Sequence, residues 1–212
     1  MPARPMTAAD YIPEHPTLRA LREGVQKCRG CDLYRYATQA VFGEGPLKAR
    51  IALVGEQPGD EEDRQGRPFV GPAGKLLDKA LEEAGIERAD VYVTNAVKHF
   101  KFEERGKRRI HKKPRVSEIK ACNPWLKAEI SLVKPEVIVC LGATATLALL
   151  GPKYRLTQER GKFVEHPWGP HVTATIHPSA VLRAPDAQQR HEEYRKFVDD
   201  LKSVRNALAS KK

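Results

Sequence analysis

ARIALVGEQPGD, residues 49–60, carries a short apolar run, Ile51 to Gly55, that breaks into a turn marked by Gly and Pro. A run of this length closed by turn residues reads as a strand buried on both faces. Three more such runs follow: DVYVTNAV at 90–97, EVIVCLG at 136–142 and HVTATIHPS at 171–179. Between them lie segments with helical spacing. TLRALREGVQKC (17–28) is one, and GPAGKLLDKALEEAGI (71–86), ending near Gly85, is a second. VSEIKACNPWLKAEISLVKP (116–135) is expected to start its helix at Ser117 and to stop at Pro135, and ATATLALLG (143–151) is a short helix. QQRHEEYRKFVDDLKSVRNALAS (188–210) is a long terminal one. Strands alternating with helices predict an α/β fold, a three-layer α/β/α sandwich around a largely parallel four-stranded sheet. In such sheets ligands bind beyond the carboxyl ends of the strands. Here those ends read GEQPGD, TNAVKH, LGATA and HPS, so the residues able to do chemistry converge on one edge.

The chain has 212 residues and a net charge of +10, with 41% hydrophobic residues. That is enough apolar material for one buried core. We expect a loose proline-rich arm at 1–16 and a single domain over 17–212. A pI near 9.5 favours a polyanion partner, nucleic acid first. No apolar run is long enough to span a membrane, and MPARPMTAADYIPEHP has no apolar core of a secretory signal. The expectation is a monomeric intracellular, cytoplasmic protein that touches no membrane and forms no disulfides.

The cysteines are Cys28, Cys31, Cys122 and Cys140, a C-x2-C pair followed by a distant, open pair. Four thiolates suit zinc or an iron–sulfur cluster. Two buried core cysteines beside an incidental C-x2-C would look the same. Zinc usually sits between two tight knuckles, and the second pair is too open for one, which favours a [4Fe–4S] cluster over zinc.

Residues 98–115 contain FKFEERGKRRIHKKPR, a basic stretch with no clean period, read as a loop. His111 inside that charge is either part of a solvated surface or a group that acts on DNA. In the first strand-end motif, Glu56 follows the strand directly, Gly55 and Gly59 let backbone approach a ligand, and Phe69 offers a flat face to a base.

Taken together, C-x2-C, GEQPGD, PFVGPAG, TNAVKHF, the later cysteines and HPS resemble the iron–sulfur uracil-DNA glycosylases of family 4. The likeness runs from Cys28 to beyond Ser179. Two departures, Gln57 in the first motif and the inserted KRRIH (107–111), resemble the uracil-DNA glycosylase X subgroup. The resemblance implies the uracil-DNA glycosylase fold, uracil-containing DNA as substrate with single strands preferred, and free uracil as product.

It also implies roles. His177 donates to the leaving uracil, Asn95 reads O4 and N3–H, Phe69 stacks on the base and Gln57 binds its edge. Glu56 stabilises the cation-like sugar. Gly55, Asp60, Lys98 and Ser179 complete the uracil and DNA contacts, with Lys107 and Arg108 on phosphates. Arg109 is either a phosphate contact or a brace for the loop. In the subgroup, the histidine in the position of His111 bonds to the DNA sugar once uracil has left. His99, His166, His171 and His191 read as ordinary surface or packing residues. Two rival readings stay open: an ordinary turnover glycosylase using water, and a non-catalytic iron–sulfur DNA-binding module. A four-cysteine redox protein is a third.

Overall fold

The computed structural model describes residues 7–209. Helix α1 (Leu18–Val25) is capped by Thr17, whose hydroxyl accepts from the Ala20 N–H at 3.1 Å. Strand β1 (Ile51–Gly55) leads into α2 (Asp60–Gln65) and α3 (Pro72–Ala84), the latter with proline in its first turn and Gly85 as a left-handed cap. Strand β2 (Val91–Asn95) follows, then β3 (Phe102–Arg105) and β4 (Arg108–His111). Next come α4 (Val116–Val133), β5 (Val137–Leu141), α5 (Ala143–Leu150) and α6 (Leu156–Glu159). The chain ends with β6 (Val164–His166), β7 (Gly169–Thr175), α7 (Pro178–Leu182) and α8 (Ala187–Ala209).

The expected α/β/α architecture is present, but the main sheet has five strands rather than four, in the order β2-β1-β5-β7-β6. The first four are parallel, and β6 pairs antiparallel with β7 at the edge. Only three residues long, β6 has too little apolar alternation to signal itself in sequence. Both sheet faces are covered, which explains the unbroken apolar runs. Ile51, Leu53, Val137, Val139 and Leu141 pack toward α3 and α8. Ala52, Val54, Ile138 and Cys140 pack toward α4 and α5.

A third apolar cluster lies beside the sheet and joins Leu21, Val25, Cys28 and Leu33 to Ile119, Cys122 and Trp125. Ala8 belongs to it and is fully buried, so part of the arm expected at 1–16 packs on the domain; its first six residues lie outside the described residues. Gly30 makes this possible, because a Cβ there would stand 2.5 Å from the Ala8 nitrogen.

The stretch expected to be a loop is a separate two-stranded antiparallel hairpin, β3–β4, in which Phe102 faces His111 and Glu104 faces Arg109. Gly106, at φ +60°, makes the tight turn. Helix α4 begins at Val116, one residue before the expected start, where the Glu118 carboxylate accepts the Arg115 N–H at 2.5 Å.

Candidate active site

All four parallel strands end on the same edge, and a cleft of about 880 Å³ opens there. Glu56 follows β1, Asn95 ends β2, Gly142 follows β5 and His177 stands two residues beyond β7. The hairpin brings His111 over the rim, so the cleft is lined by Glu56, Phe69, Asn95, His111, His177 and Ser179 among others.

Glu56 is held at both oxygens. Its Oε2 accepts from the Thr144 hydroxyl, and its Oε1 lies 3.1 Å from His111 Nε2. Burial opposes ionisation of this carboxyl, yet the hydrogen bonds from His111 and Thr144 outweigh it and hold the group below the usual carboxylate range. The His111 ring is thus paired with a carboxylate. Half of the His111 side chain stays exposed.

His177 caps α7. Its Nδ1 accepts the Ser179 N–H at 3.1 Å and lies 2.7 Å from the Ser179 hydroxyl. With Nδ1 accepting, the proton of the neutral ring sits on Nε2. Burial is the main cause that lowers the pKa of His177 to about 4, so the ring is neutral at pH 7. Ser179 therefore orients His177. Phe69 stacks beside the imidazole, with ring centroids 6.2 Å apart and planes at 24°.

Phe69 and Asn95 face each other across Gly55. A Cβ on Gly55 would stand 2.3 Å from Asn95 Oδ1 and 2.7 Å from Phe69 Cζ, so only glycine lets the two converge. The Phe69 backbone is itself left-handed, at φ +56°, an unfavourable conformation for a residue with a side chain. Gly74 accommodates it, since a Cβ there would meet the Phe69 carbonyl at 1.7 Å. The Asn95 side chain is buried and its amide makes no hydrogen bond among the described residues. It remains available to a ligand in the cleft.

Several expected contacts take other roles. Gln57 lines the cleft, but its side-chain amide is engaged by the hairpin: Nε2 donates to the Lys101 and Lys112 carbonyls, both at 3.1 Å, and Oε1 accepts the Lys101 N–H at 3.2 Å. It pins both strands of the hairpin at their base. Asp60 is bonded to Arg109 Nε and Arg64, so its carboxylate serves the hairpin too. Arg109 braces the hairpin. It reaches the fully buried Asp63 at 2.6 Å and Thr38 at 3.2 Å, and its guanidinium lies over Phe100 and Phe102. Burial disfavours its charge, but the bonds to Asp63 and Asp60 raise its pKa. Lys107 and Arg108 sit exposed at the hairpin turn, free to meet phosphates, and Lys113 lines the cleft.

Lys98 cannot contact DNA. It is fully buried, with its ammonium bonded to Thr94, Glu129 and the Asn95 carbonyl. Asp63, Thr144 and Arg183 belong to the site and were not expected from sequence; Arg183 lines the cleft close enough to disfavour protonation of His177. Thr144 lies in the strand-end motif LGATA, a signal that could have found it. Nothing in the spacing marks Asp63 among its acidic neighbours.

The cysteines do not form the expected set of four. Cys28, Cys31 and Cys122 share one apolar cluster, whereas Cys140 lies in β5 between Val54 and Ala174, in the core under α4 and α5. Burial accounts for the raised Cys140 thiol, with no contribution from the other three. The three that gather are supplied with N–H donors. Trp125 Nε1 donates to Cys28 Sγ at 3.2 Å and the Lys98 N–H to Cys122 Sγ at 3.3 Å. Burial pushes the Cys122 thiol up to about 12. Among the described residues no three His, Cys, Asp or Glu side chains are grouped to hold a metal ion. An apolar shell with N–H donors aimed at sulfur fits an iron–sulfur group. His99, expected to be an ordinary packing residue, is buried, follows the residue bonded to Cys122 and lines a second cavity together with Cys28.

Residues 42–202 match the sequence profile of the uracil DNA glycosylase superfamily. The chain is 40% identical over 193 residues to a type-4 uracil-DNA glycosylase of Thermotoga maritima, covering 90% of this chain and 94% of the relative. It is 37% identical over 205 residues to a type-4 uracil-DNA glycosylase of Saccharolobus solfataricus, covering 92% and 88%. A type-5 uracil-DNA glycosylase of Thermus thermophilus is 34% identical over 164 residues, 68% of this chain and 71% of that one.

Proposed function

The chain belongs to the uracil DNA glycosylase superfamily, and we propose that it excises uracil from DNA and is then captured on the abasic sugar through His111. One observation carries the second half: His111 Nε2 stands 3.1 Å from Glu56 Oε1 at the mouth of a cleft whose walls suit a flipped pyrimidine.

The target nucleotide leaves the stack, at a cost of a few kcal/mol that is smallest in single strands, so those are the preferred substrate. Phe69 stacks on the base, and the free amide of Asn95 meets O4 and N3–H. As the C1′–N1 bond breaks, its electron pair leaves with the base. The Nε2–H of neutral His177 meets the charge that develops on O2. The Glu56 carboxylate faces the cation-like sugar. His111, in its Nδ1–H tautomer, then attacks C1′ with the lone pair of Nε2; the resulting imidazolium gives its Nδ1 proton to solvent, and the uracil anion takes a proton up from solvent. Being in place already, the imidazole outcompetes water. The protein acts once and stays attached. Gln57, Asp60 and Asp63 serve this step by fixing the hairpin.

Cys28, Cys31 and Cys122 are the residues we assign to a [4Fe–4S] cluster, with His99 in the fourth position in place of Cys140. Such a group would tie the N-terminal segment to α4 and supply no step of the reaction.

A labelled single-stranded oligonucleotide with one uracil, run on a denaturing gel after heating, tests the reading. A heat-resistant band that needs uracil and disappears in His111→Ser is the expected result. The likeness to type-4 enzymes favours a second reading, turnover with water. It predicts no resistant band and a strand that breaks in alkali.

A further inference from the structure

We infer that Lys98 is a positioning residue for uracil recognition, which holds the backbone of Asn95 through a buried ion pair with Glu129. This rests on the reading of Asn95 as the amide that meets the base.

Lys98 and Glu129 are both completely buried, 2.8 Å apart. Removing two charges from water costs several kcal/mol each, and a well-packed apolar pair of similar volume is often as stable or more so. Stability alone is therefore a weak reason for such a pair. Its hydrogen bonds give a better one. An ammonium has three donors, and all three are used: Thr94 Oγ1 at 2.7 Å, the Asn95 carbonyl at 2.8 Å and Glu129 Oε2 at 2.8 Å. Glu129 in turn accepts the Thr94 hydroxyl at 2.6 Å and the Gly43 N–H at 3.2 Å. Lys98, Thr94 and Glu129 all have partners, and the network meets the site at Asn95.

That contact is to the Asn95 carbonyl, so it fixes the peptide plane from which the side chain projects. The following turn is tied to β1, through Ala96 N–H to the Gly55 carbonyl at 2.9 Å and Val97 N–H to the Glu56 carbonyl at 3.0 Å. The Lys98 N–H is anchored on Cys122. Residue 98 thus sets Asn95 against Glu56, while among the described residues the Asn95 amide has no partner to steer it. A functional amide is held by its supports or not at all.

The test is a double-mutant cycle, read as single-turnover uracil release from a single-stranded oligonucleotide, with the melting temperature of each variant. Lys98→Met combined with Glu129→Leu removes both charges together. The expected result is a folded protein that releases uracil at least tenfold more slowly. In an Asn95→Ala background the same change should cost nothing further, because there is no amide left to position. A purely structural pair would slow both backgrounds equally, and that result, or unchanged release in the variant, would overturn the inference. Wild-type release by Asn95→Ala alone would instead remove the reading of Asn95, and the role of Lys98 with it. If the double variant does not fold, Thr94→Val takes its place. It leaves Lys98 one acceptor short and should slow release about threefold or more, with Thr94→Ser restoring it. Equal rates for Val and Ser at position 94 would sink the proposal.

Discussion

Arg109 Nη1 lies 2.6 Å from an oxygen of Asp63, a carboxylate with no exposure at all. This bond joins the exposed basic hairpin to the core of the domain, and it decides where His111 points. Among the described residues the hairpin has no pairing with the main sheet. Its position depends on Arg109, on Gln57 at the base and on the ion pair of Lys101 with Glu118 at 2.8 Å.

Loosening the brace should separate excision from capture. Arg109→Met removes the guanidinium partner of Asp63 and leaves its carboxylate, among the described residues, with the Thr38 N–H. Truncating one partner of a buried pair costs about 3–5 kcal/mol, so a lower melting temperature is expected. Covalent adduct should form at least tenfold more slowly while uracil release continues. Gln57→Ala should act in the same direction with a smaller loss of stability. Adduct yield and free uracil, measured in one reaction, check both.

Replacing His111 with serine should abolish the adduct and leave turnover with water. Replacing Glu56 with glutamine should slow uracil release as well, by about 10²-fold or more, the scale of losing one electrostatic stabiliser. A Glu56→Gln variant that cuts uracil at the normal rate would leave the carboxylate with no part in bond breaking.

Gly55→Ala tests the convergence of Phe69 and Asn95. The added methyl would stand 2.3 Å from Asn95 Oδ1 and must displace it. Uracil release is expected to fall about 10²-fold, the cost of a displacement of about 1 Å in an active site. Salt-dependent DNA binding should stay the same, since the exposed lysines and arginines that supply it are untouched.

Acid should affect both activity and stability through His177. Its folded pKa is about 4, against about 6.5 for an unperturbed histidine. Between those values the unfolded chain binds the proton and the folded one does not. Stability is therefore complete above pH 6.5 and falls as pH drops toward 4, by on the order of 3 kcal/mol. Excision, which needs neutral His177 and ionised Glu56, should keep its rate down through pH 6 and fall near 4. His177→Gln should reduce the fall of the melting temperature over pH 4–6.5, as differential scanning at several pH values would show.

The cysteines should divide three to one. Serine at Cys28, Cys31 or Cys122 is expected to lower bound iron and the visible absorption of the purified protein, with loss of stability. Cys140→Ala should keep both the iron and the colour. Loss of iron from Cys140→Ala would restore it as a ligand.

Much of this protein could be read along the chain. Ile51–Leu53–Val54, Val137–Val139 and their flanking turns are local patterns, and a run with no polar residue has nowhere to go but a sheet covered on both sides. Once the strands are parallel, the topology itself gathers Glu56, Asn95 and His177 at one edge, whatever their distance in sequence. What only the tertiary structure decided was the use of charge and sulfur. Lys98 and Lys107 look alike in sequence, yet one is sealed under Asn95 and the other sits at an exposed turn. Cys122 and Cys140 are separated by one helix and one turn, and the chain sends them to different cores. Arg109 differs from Arg108 only in the side of β4 it occupies, and that alternation chooses Asp63 for one and solvent for the other. An apolar residue is placed by its period, because water excludes it everywhere alike. A charge or a thiol is placed by its partner, and partners such as Asp63, Glu129 and Trp125 are brought near only when the chain has folded.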